Sequence, residues 1–114
     1  MASKTPGAWS KINFASDRSY AVDKGNWVEI HYPNGVMIII NVAGVKEWYQ
    51  DNNLHRVGAP AIIWPDGMKE WYQDNKRHRE DGPAIEDPDE ERLLWFYRGR
   101  NYGEGRNKPE GFPV

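Results

Sequence analysis

Two His-Arg pairs, His55-Arg56 and His78-Arg79, stand 23 residues apart in a chain of 114. Two imidazoles and two guanidiniums in register could grip a phosphate or carboxylate, the guanidinium as a bidentate donor and the imidazole as a second one. Tyr49 and Tyr72, each six residues before a pair, would add ring faces for stacking on a base or on another protein. These six residues form the candidate ligand-binding or partner-binding set. A structural role competes for them: each His would cap a tight turn by bonding backbone, and each Arg would pair with an acid such as Glu47 or Glu70. The structural role takes precedence, because residues repeated with a fold unit more often maintain the unit than serve a ligand.

The spacing comes from an internal duplication. Lys46-Glu47-Trp48-Tyr49-Gln50-Asp51-Asn52 returns letter for letter as Lys69-Glu70-Trp71-Tyr72-Gln73-Asp74-Asn75, and each copy runs on into His-Arg and then Pro-Ala-Ile at 60–62 and 83–85. A repeat of this length stacks one small supersecondary unit on the next. Equivalent residues one unit, or two strands, apart would then lie roughly 9–10 Å from each other at ~4.8 Å per strand. Zinc needs its nitrogens at about 2 Å, so His55 and His78 are not expected to share a metal, and no metal or cofactor is assigned.

Short apolar stretches punctuated by turn residues place these side chains on strands. Tyr20 to Val22, Trp27 to Tyr32, Val36 to Val42, Val45 to Gln50, Ala61 to Trp64, Met68 to Gln73, Pro83 to Ile85 and Arg92 to Tyr97 read as strands. The turns between them include Asp23-Lys24-Gly25-Asn26, Pro33-Asn34-Gly35, Asp51-Asn52-Asn53 and Pro65-Asp66-Gly67. Val36 to Ile40 is apolar on both alternating faces, as expected of a strand covered on both sides near the centre of the core. No stretch of ten residues keeps a helical period. The expectation is a mainly β protein, an antiparallel meander of hairpin repeats with an N-terminal β segment. Its parts are a flexible leader over residues 1–12 with Trp9 as its only docking residue, an N-terminal β segment over 13–44, repeats over 45–105 and a tail over 106–114. Trp48, Trp71 and Trp95 are expected in the repeat core, which puts Tyr49 and Tyr72 on the opposite face by strand alternation.

Composition narrows the function classes. Seventeen acids against fifteen basic residues leave a net charge of −2, which disfavours nucleic acid as the main partner. Cysteine is absent, so disulfide and thiolate chemistry are excluded and a cytoplasmic location is expected. No apolar run is long enough to cross a bilayer. The four serines all precede residue 20 and none stands in a Gly-x-Ser-x-Gly context; no phosphate-cradling Gly-x-x-x-x-Gly-Lys loop appears either.

Trp71-Tyr72, Asp74-Asn75, His78-Arg79 and Asp81-Gly82-Pro83-Ala84 resemble the divergent form of the MORN-type β-hairpin repeat found in bacterial and phage proteins. The first copy departs from it in carrying Gly58-Ala59 where the second has Asp81-Gly82. A degenerate third copy starts at Trp95-Phe96 and runs through Gly99, Gly103 and Gly105. The resemblance covers residues 45 to 105 and implies a binding or scaffolding surface rather than an active site. The leading expectation is a non-enzymatic interaction protein, a phage-encoded inhibitor of a host enzyme or defence complex, with a protein partner. The alternatives are a protein sequestering a small anionic metabolite or nucleotide, and a small hydrolase. A homodimer is also expected, since a meander leaves edge strands to cover.

Overall fold

The computed structural model describes residues 7–14, 18–89 and 91–114, with side chains from Arg18 onward. The described residues contain no helix and form β1 (Gly7–Phe14), β2 (Ser19–Asp23), β3 (Trp27–His31), β4 (Val36–Asn41), β5 (Lys46–Gln50), β6 (Asn53–Leu54), β7 (Ile62–Ile63), β8 (Lys69–Glu70), β9 (Tyr72–Gln73), β10 (Lys76–Arg77), β11 (Ile85–Asp87), β12 (Arg92–Tyr97) and β13 (Arg100–Glu104). The expected mainly β, antiparallel meander is therefore what the chain adopts. One sheet runs in the order β1-β2-β3-β4-β5-β7-β8-β11-β12-β13, with β6 beside β5, and β9 and β10 form a separate ribbon. The leader expected over residues 1–12 lies outside the described residues up to residue 6; from Gly7 it belongs to β1, paired with β2, and the side chain of Trp9 is outside the described set.

The molecule is long and thin, 58 × 29 × 20 Å with a radius of gyration of 16.8 Å, against about 13 Å for a compact domain of this length. Over β2 to β5 the described residues form a single layer. Every residue of β4 is half-buried, and Ser19 is the only buried residue in β2 to β5. The placement of Val36 to Val42 at the centre of a core is thus corrected: β4 lies between β3 and β5 in the sheet, but none of its residues is buried, so alternation without a covering layer leaves both faces partly open. Val42, expected within that strand, lies beyond its end and is 79% exposed.

Apart from Val45, 7% exposed between β4 and β5, the buried apolar residues described lie in the second half. Trp71, Ala84, Ile85 and Phe96 pack together with Met68 and Leu94 against them, and Ala61 and Ala84 are fully enclosed. The expected strand from Met68 to Gln73 splits at Trp71, because β8 pairs with β7 and β11 whereas β9 pairs with β10. Duplicated sequence gives duplicated backbone bonding. Trp48 N–H donates to Ala61 O as Trp71 N–H donates to Ala84 O, both at 2.8 Å, and His55 N–H donates to Trp48 O as His78 N–H donates to Trp71 O, both at 3.0 Å. Arg56 N–H donates to Tyr72 O at 3.0 Å and Arg79 N–H to Phe96 O at 3.2 Å, so the segment around Phe96 receives the second copy as Tyr72 receives the first.

Three two-residue turns close the hairpins within these units. Asp51-Asn52, Asp74-Asn75 and Arg98-Gly99 all have positive φ at both positions, and the flanking residues Gln50 and Asn53, Gln73 and Lys76, Tyr97 and Arg100 pair directly. This is the hairpin turn whose twist matches that of the strands, and Asp, Asn and Gly tolerate its left-handed backbone best. The first turn leans on the N-terminal half: Asp51 N–H donates to Gly35 O at 3.0 Å, and a Cβ on Gly35, at φ 89°, would collide with the Asp51 carboxylate. The tail beyond β13 has no strand, yet Phe112 is 8% exposed and meets Trp95, Tyr97 and Tyr102 edge-on, with ring centroids 5.1, 5.9 and 5.4 Å away.

Candidate functional site

Directly paired residues on neighbouring strands share a face, so the registers assign the sequence-predicted residues to two surfaces. Tyr49 pairs with Met37, and Glu47 with Ile39 on one side and Ile62 on the other; Ile62 pairs with Glu70, and Glu70 with Ile85. Tyr49 and Tyr72 therefore share one face with Glu47 and Glu70, while Trp48 lies on the other with Ile38. The expected separation of Tyr from Trp holds, and Trp71 and Trp95, 8% and 5% exposed, are core residues as expected. Trp48 is only half-buried.

The His-Arg pairs belong to the Trp side of each unit. His55 Nδ1 accepts from the Asp74 amide at 3.0 Å and His78 Nδ1 accepts from the Arg98 amide at 2.9 Å. Each imidazole thus caps the left-handed turn of the following unit, satisfying an amide the turn leaves without a ladder partner. His78 is buried and rests on Tyr97, ring centroids 4.6 Å apart. The expected pairing of each arginine with a nearby acid holds for Arg79, with Asp81 and Glu86 in place of Glu47 or Glu70, and is corrected for Arg56, which has no acidic partner among the described residues; Glu47 and Glu70 point to the opposite face. Arg56 and Arg79 lie flat over Trp48 and Trp71, the guanidinium carbon 3.9 Å from the ring centroid in both, an attraction of the cation to the ring's negative face. Burial pushes the Arg56 guanidinium below its ordinary pKa.

The second copy shows why Asp-Gly-Pro-Ala follows the pair. Arg79 Nε donates to Asp81 at 3.0 Å, and its Nη1 donates to Pro83 O at 3.0 Å and to Glu86 at 3.0 Å. Gly82 leaves room for the guanidinium, which a Cβ there would approach to 2.7 Å. In the first copy Gly58 and Ala59 replace Asp81 and Gly82, and Arg56 keeps the bond to Pro60 O at 3.2 Å, with no acid bonded to it among the described residues.

The opposite face carries a hydrogen-bonded spine that the sequence reading passed over. Glu29, Ile39, Glu47, Ile62, Glu70 and Ile85 form one cross-strand row, and the acids fix the aromatic groups beside them. Glu29 accepts from the Trp27 indole at 2.9 Å and bonds His31 Nε2 at 2.9 Å. Burial raises the Glu29 pKa, but the bonds from Trp27 and His31 and the charge of Lys24 outweigh it, so its carboxyl ends below the ordinary value of 4.5. Tyr49 donates to Glu47 at 3.3 Å. Glu70, 4% exposed, accepts from the Trp64 indole at 2.7 Å, from Tyr72 at 3.2 Å and from Arg77 at 3.4 Å. Burial and the neighbouring acid raise the hydroxyls of Tyr49 and Tyr72 above the ordinary tyrosine pKa of 10.0. The signal was present in the sequence as an acid followed two residues later by an aromatic or imidazole donor, at 29 and 31, 47 and 49, 70 and 72; strand alternation puts both on one face.

The outcome is an open surface. Trp27 and Trp64 are 38% and 37% exposed on the face of Tyr49 and Tyr72, with their indole nitrogens tethered. A groove of about 400 Å³ beside the second unit is lined by Gln73, Asp74, Lys76, His78, Glu80 and Arg98, so His78 borders it, whereas His55, Arg56, Arg79, Tyr49 and Tyr72 do not. Among the described residues, no group of three His, Asp or Glu side chains is placed to hold a metal ion, and no helix is long and apolar enough to cross a membrane. Comparison with family models, with curated proteins and with solved structures gives no match to this chain.

Proposed function

We propose that this is a non-enzymatic interaction protein that binds a protein partner through the aromatic face of its sheet. The observation that carries the reading is the set of rings Trp27, Tyr49, Trp64 and Tyr72 on one face, each held by Glu29, Glu47 or Glu70 through its own polar atom. Rings already held in place lose little side-chain entropy on docking, and Trp and Tyr dominate the binding energy of protein interfaces. The resemblance to MORN-type repeats supports the same class, and its phage-type form points to a host enzyme or defence complex as the partner. The test is capture from a bacterial lysate by the wild-type protein and by a Trp27→Ala/Trp64→Ala double variant shown to be folded. A stoichiometric partner that the variant fails to retain is expected; equal retention, or no partner at all, refutes the reading.

The sequestering of a small anion has less support. His55 and His78 have their Nδ1 atoms engaged by turn amides, and Arg79 faces two carboxylates. Loss of nucleotide or phosphate binding in an Arg56→Ala/Arg79→Ala variant that kept its melting temperature within a few degrees would restore it.

A further inference from the structure

The face opposite the aromatic one has a different chemistry over β2 to β5. Its rows, read from the registers, are Ala21–Ile30–Ile38–Trp48 and Asp23–Val28–Ile40–Lys46, with Val36 alongside. Five aliphatic side chains from two neighbouring strands, Val28, Ile30, Val36, Ile38 and Ile40, stand together there, and none of them is buried. One sheet layer cannot bury such a face by itself.

We infer that a second copy of this chain covers it, the two sheets packing face to face as a sandwich about a two-fold axis that runs along the strands between β3 and β4. The order of residues in the rows selects this occupant. A two-fold axis in that position reverses each row on the partner, which sets Ile30 over Ile38 and Val28 over Ile40 at the centre. It sets Ala21 over Trp48, where Arg56 lies 3.9 Å above the ring, so the smallest side chain of the row meets the bulkiest assembly. It also sets Asp23 over Lys46, an acid at one end of the row against a base at the other. Lys46 is exposed and forms no ion pair among the described residues. The row is thus complementary to its own reverse in size and in charge. Aligned sheets cross at about 30° and lie about 10 Å apart, a displacement at the row ends that the long Lys46 side chain spans. The aromatic faces then point outward on both sides of the dimer, leaving two copies of the proposed partner surface open.

Zero-length carbodiimide cross-linking of an equal mixture of ¹⁴N- and ¹⁵N-labelled full-length protein tests this. Within one chain Asp23 and Lys46 are three strands apart, roughly 14 Å, too far for a direct amide, so an Asp23–Lys46 link must join two chains and give peptides of mixed label. That mixed link, with a solution mass of twice 13.2 kDa at high micromolar concentration, is the expected result. Ile38→Glu and Ile39→Lys provide the control, being adjacent, both half-buried and on opposite faces, with the lysine placed between Glu29 and Glu47 where its charge is tolerated. The first should shift the dissociation constant by at least tenfold, while the second leaves it within about twofold. A mass of 13.2 kDa throughout the concentration range, a dimer without the mixed link, or equal weakening by both variants overturns the inference. Partner capture by monomeric Ile38→Glu separates this result from the proposed function: retention of a partner by the monomer supports that function even if the dimer is absent.

Discussion

The same seven residues occur twice, and they live in two different environments. Trp71 is buried and Trp48 half-buried; Glu70 is 4% exposed and bound by three donors, whereas Glu47 has Tyr49 alone among the described residues. Arg79 has two acidic partners and Arg56 none among the described residues. The shared bonds from Trp48 and Trp71 to the following Ala and His, and the shared hairpin pairing, show that the heptad dictates the turn in both places, although the first copy is one strand along β4 and the second splits at Trp71. What surrounds it dictates burial. The donors that complete the Glu70 site, Trp64 and Arg77, have Asn41 and Leu54 at the corresponding positions of the first copy, and Asp81 and Glu86 correspond to Gly58 and Ile63. The first copy also adjoins β4 of the single layer, while the second sits beneath Phe96 and Leu94. A repeat thus specifies local geometry through its own residues and acquires its energy from its neighbours.

Paired substitutions at equivalent positions should expose this asymmetry. Trp71→Ala should lower unfolding free energy by about 3–5 kcal/mol through lost burial and a cavity, and Trp48→Ala by roughly half as much, measured by urea denaturation. Equal losses would mean that the two units share one environment. Next in size is Glu70→Ala, which strands the Trp64 indole and the Tyr72 hydroxyl and frees Arg77. A cost of about 2–3 kcal/mol is expected, discounted for the part-exposed Arg77, against less than about 1 kcal/mol for Glu47→Ala. A double-mutant cycle between Glu70 and Trp64 should return a coupling well above that between Glu47 and Tyr49.

The histidine caps come third. His78→Ala removes a buried acceptor from the Arg98 amide and should cost about 1–2 kcal/mol; His55→Ala, at a more exposed turn, should cost less. Amide exchange at Arg98 and at Asp74 should accelerate in the respective variants and nowhere else, and unchanged rates would remove the capping role. Smallest is the pH dependence. The depressed Glu29 carboxyl binds protons less readily when folded, so its stabilisation is present above pH 4.5 and disappears as pH falls through the folded value. Glu29→Gln should flatten that acid limb. Tyr49 and Tyr72 are raised, so the folded protein holds those protons more tightly and stability declines as pH rises above 10.0. Spectrophotometric titration should place them among the last tyrosines to ionise.

Much of the fold was legible in the chain because it rests on short-range rules. The hairpin turns at Asp51-Asn52 and Asp74-Asn75, the mainly β composition, the burial of Trp71 and Trp95 and the opposition of Tyr to Trp all follow from turn chemistry and a period of two. The roles of His55 and His78 as turn caps were readable for the same reason, as repeated residues beside a repeated turn. The misplacement of Val36 to Val42 has a different origin. An apolar run reports that a strand could be covered on both sides, and it carries no information on whether a second layer exists to cover it.

The acid spine marks the boundary between the two kinds of knowledge. Alternation alone already put Glu29 with His31, Glu47 with Tyr49 and Glu70 with Tyr72, so the local half of each site was determined by the sequence. Only the tertiary structure brought Trp64 and Arg77 to Glu70, set Arg79 between Trp71, Asp81 and Glu86, and folded Phe112 back onto Trp95. Local geometry is set by steric and hydrogen-bonding preferences that act within a few residues, whereas burial and pairing depend on which distant segments share a strand register, and a one-residue shift would turn every side chain of a strand to the other face.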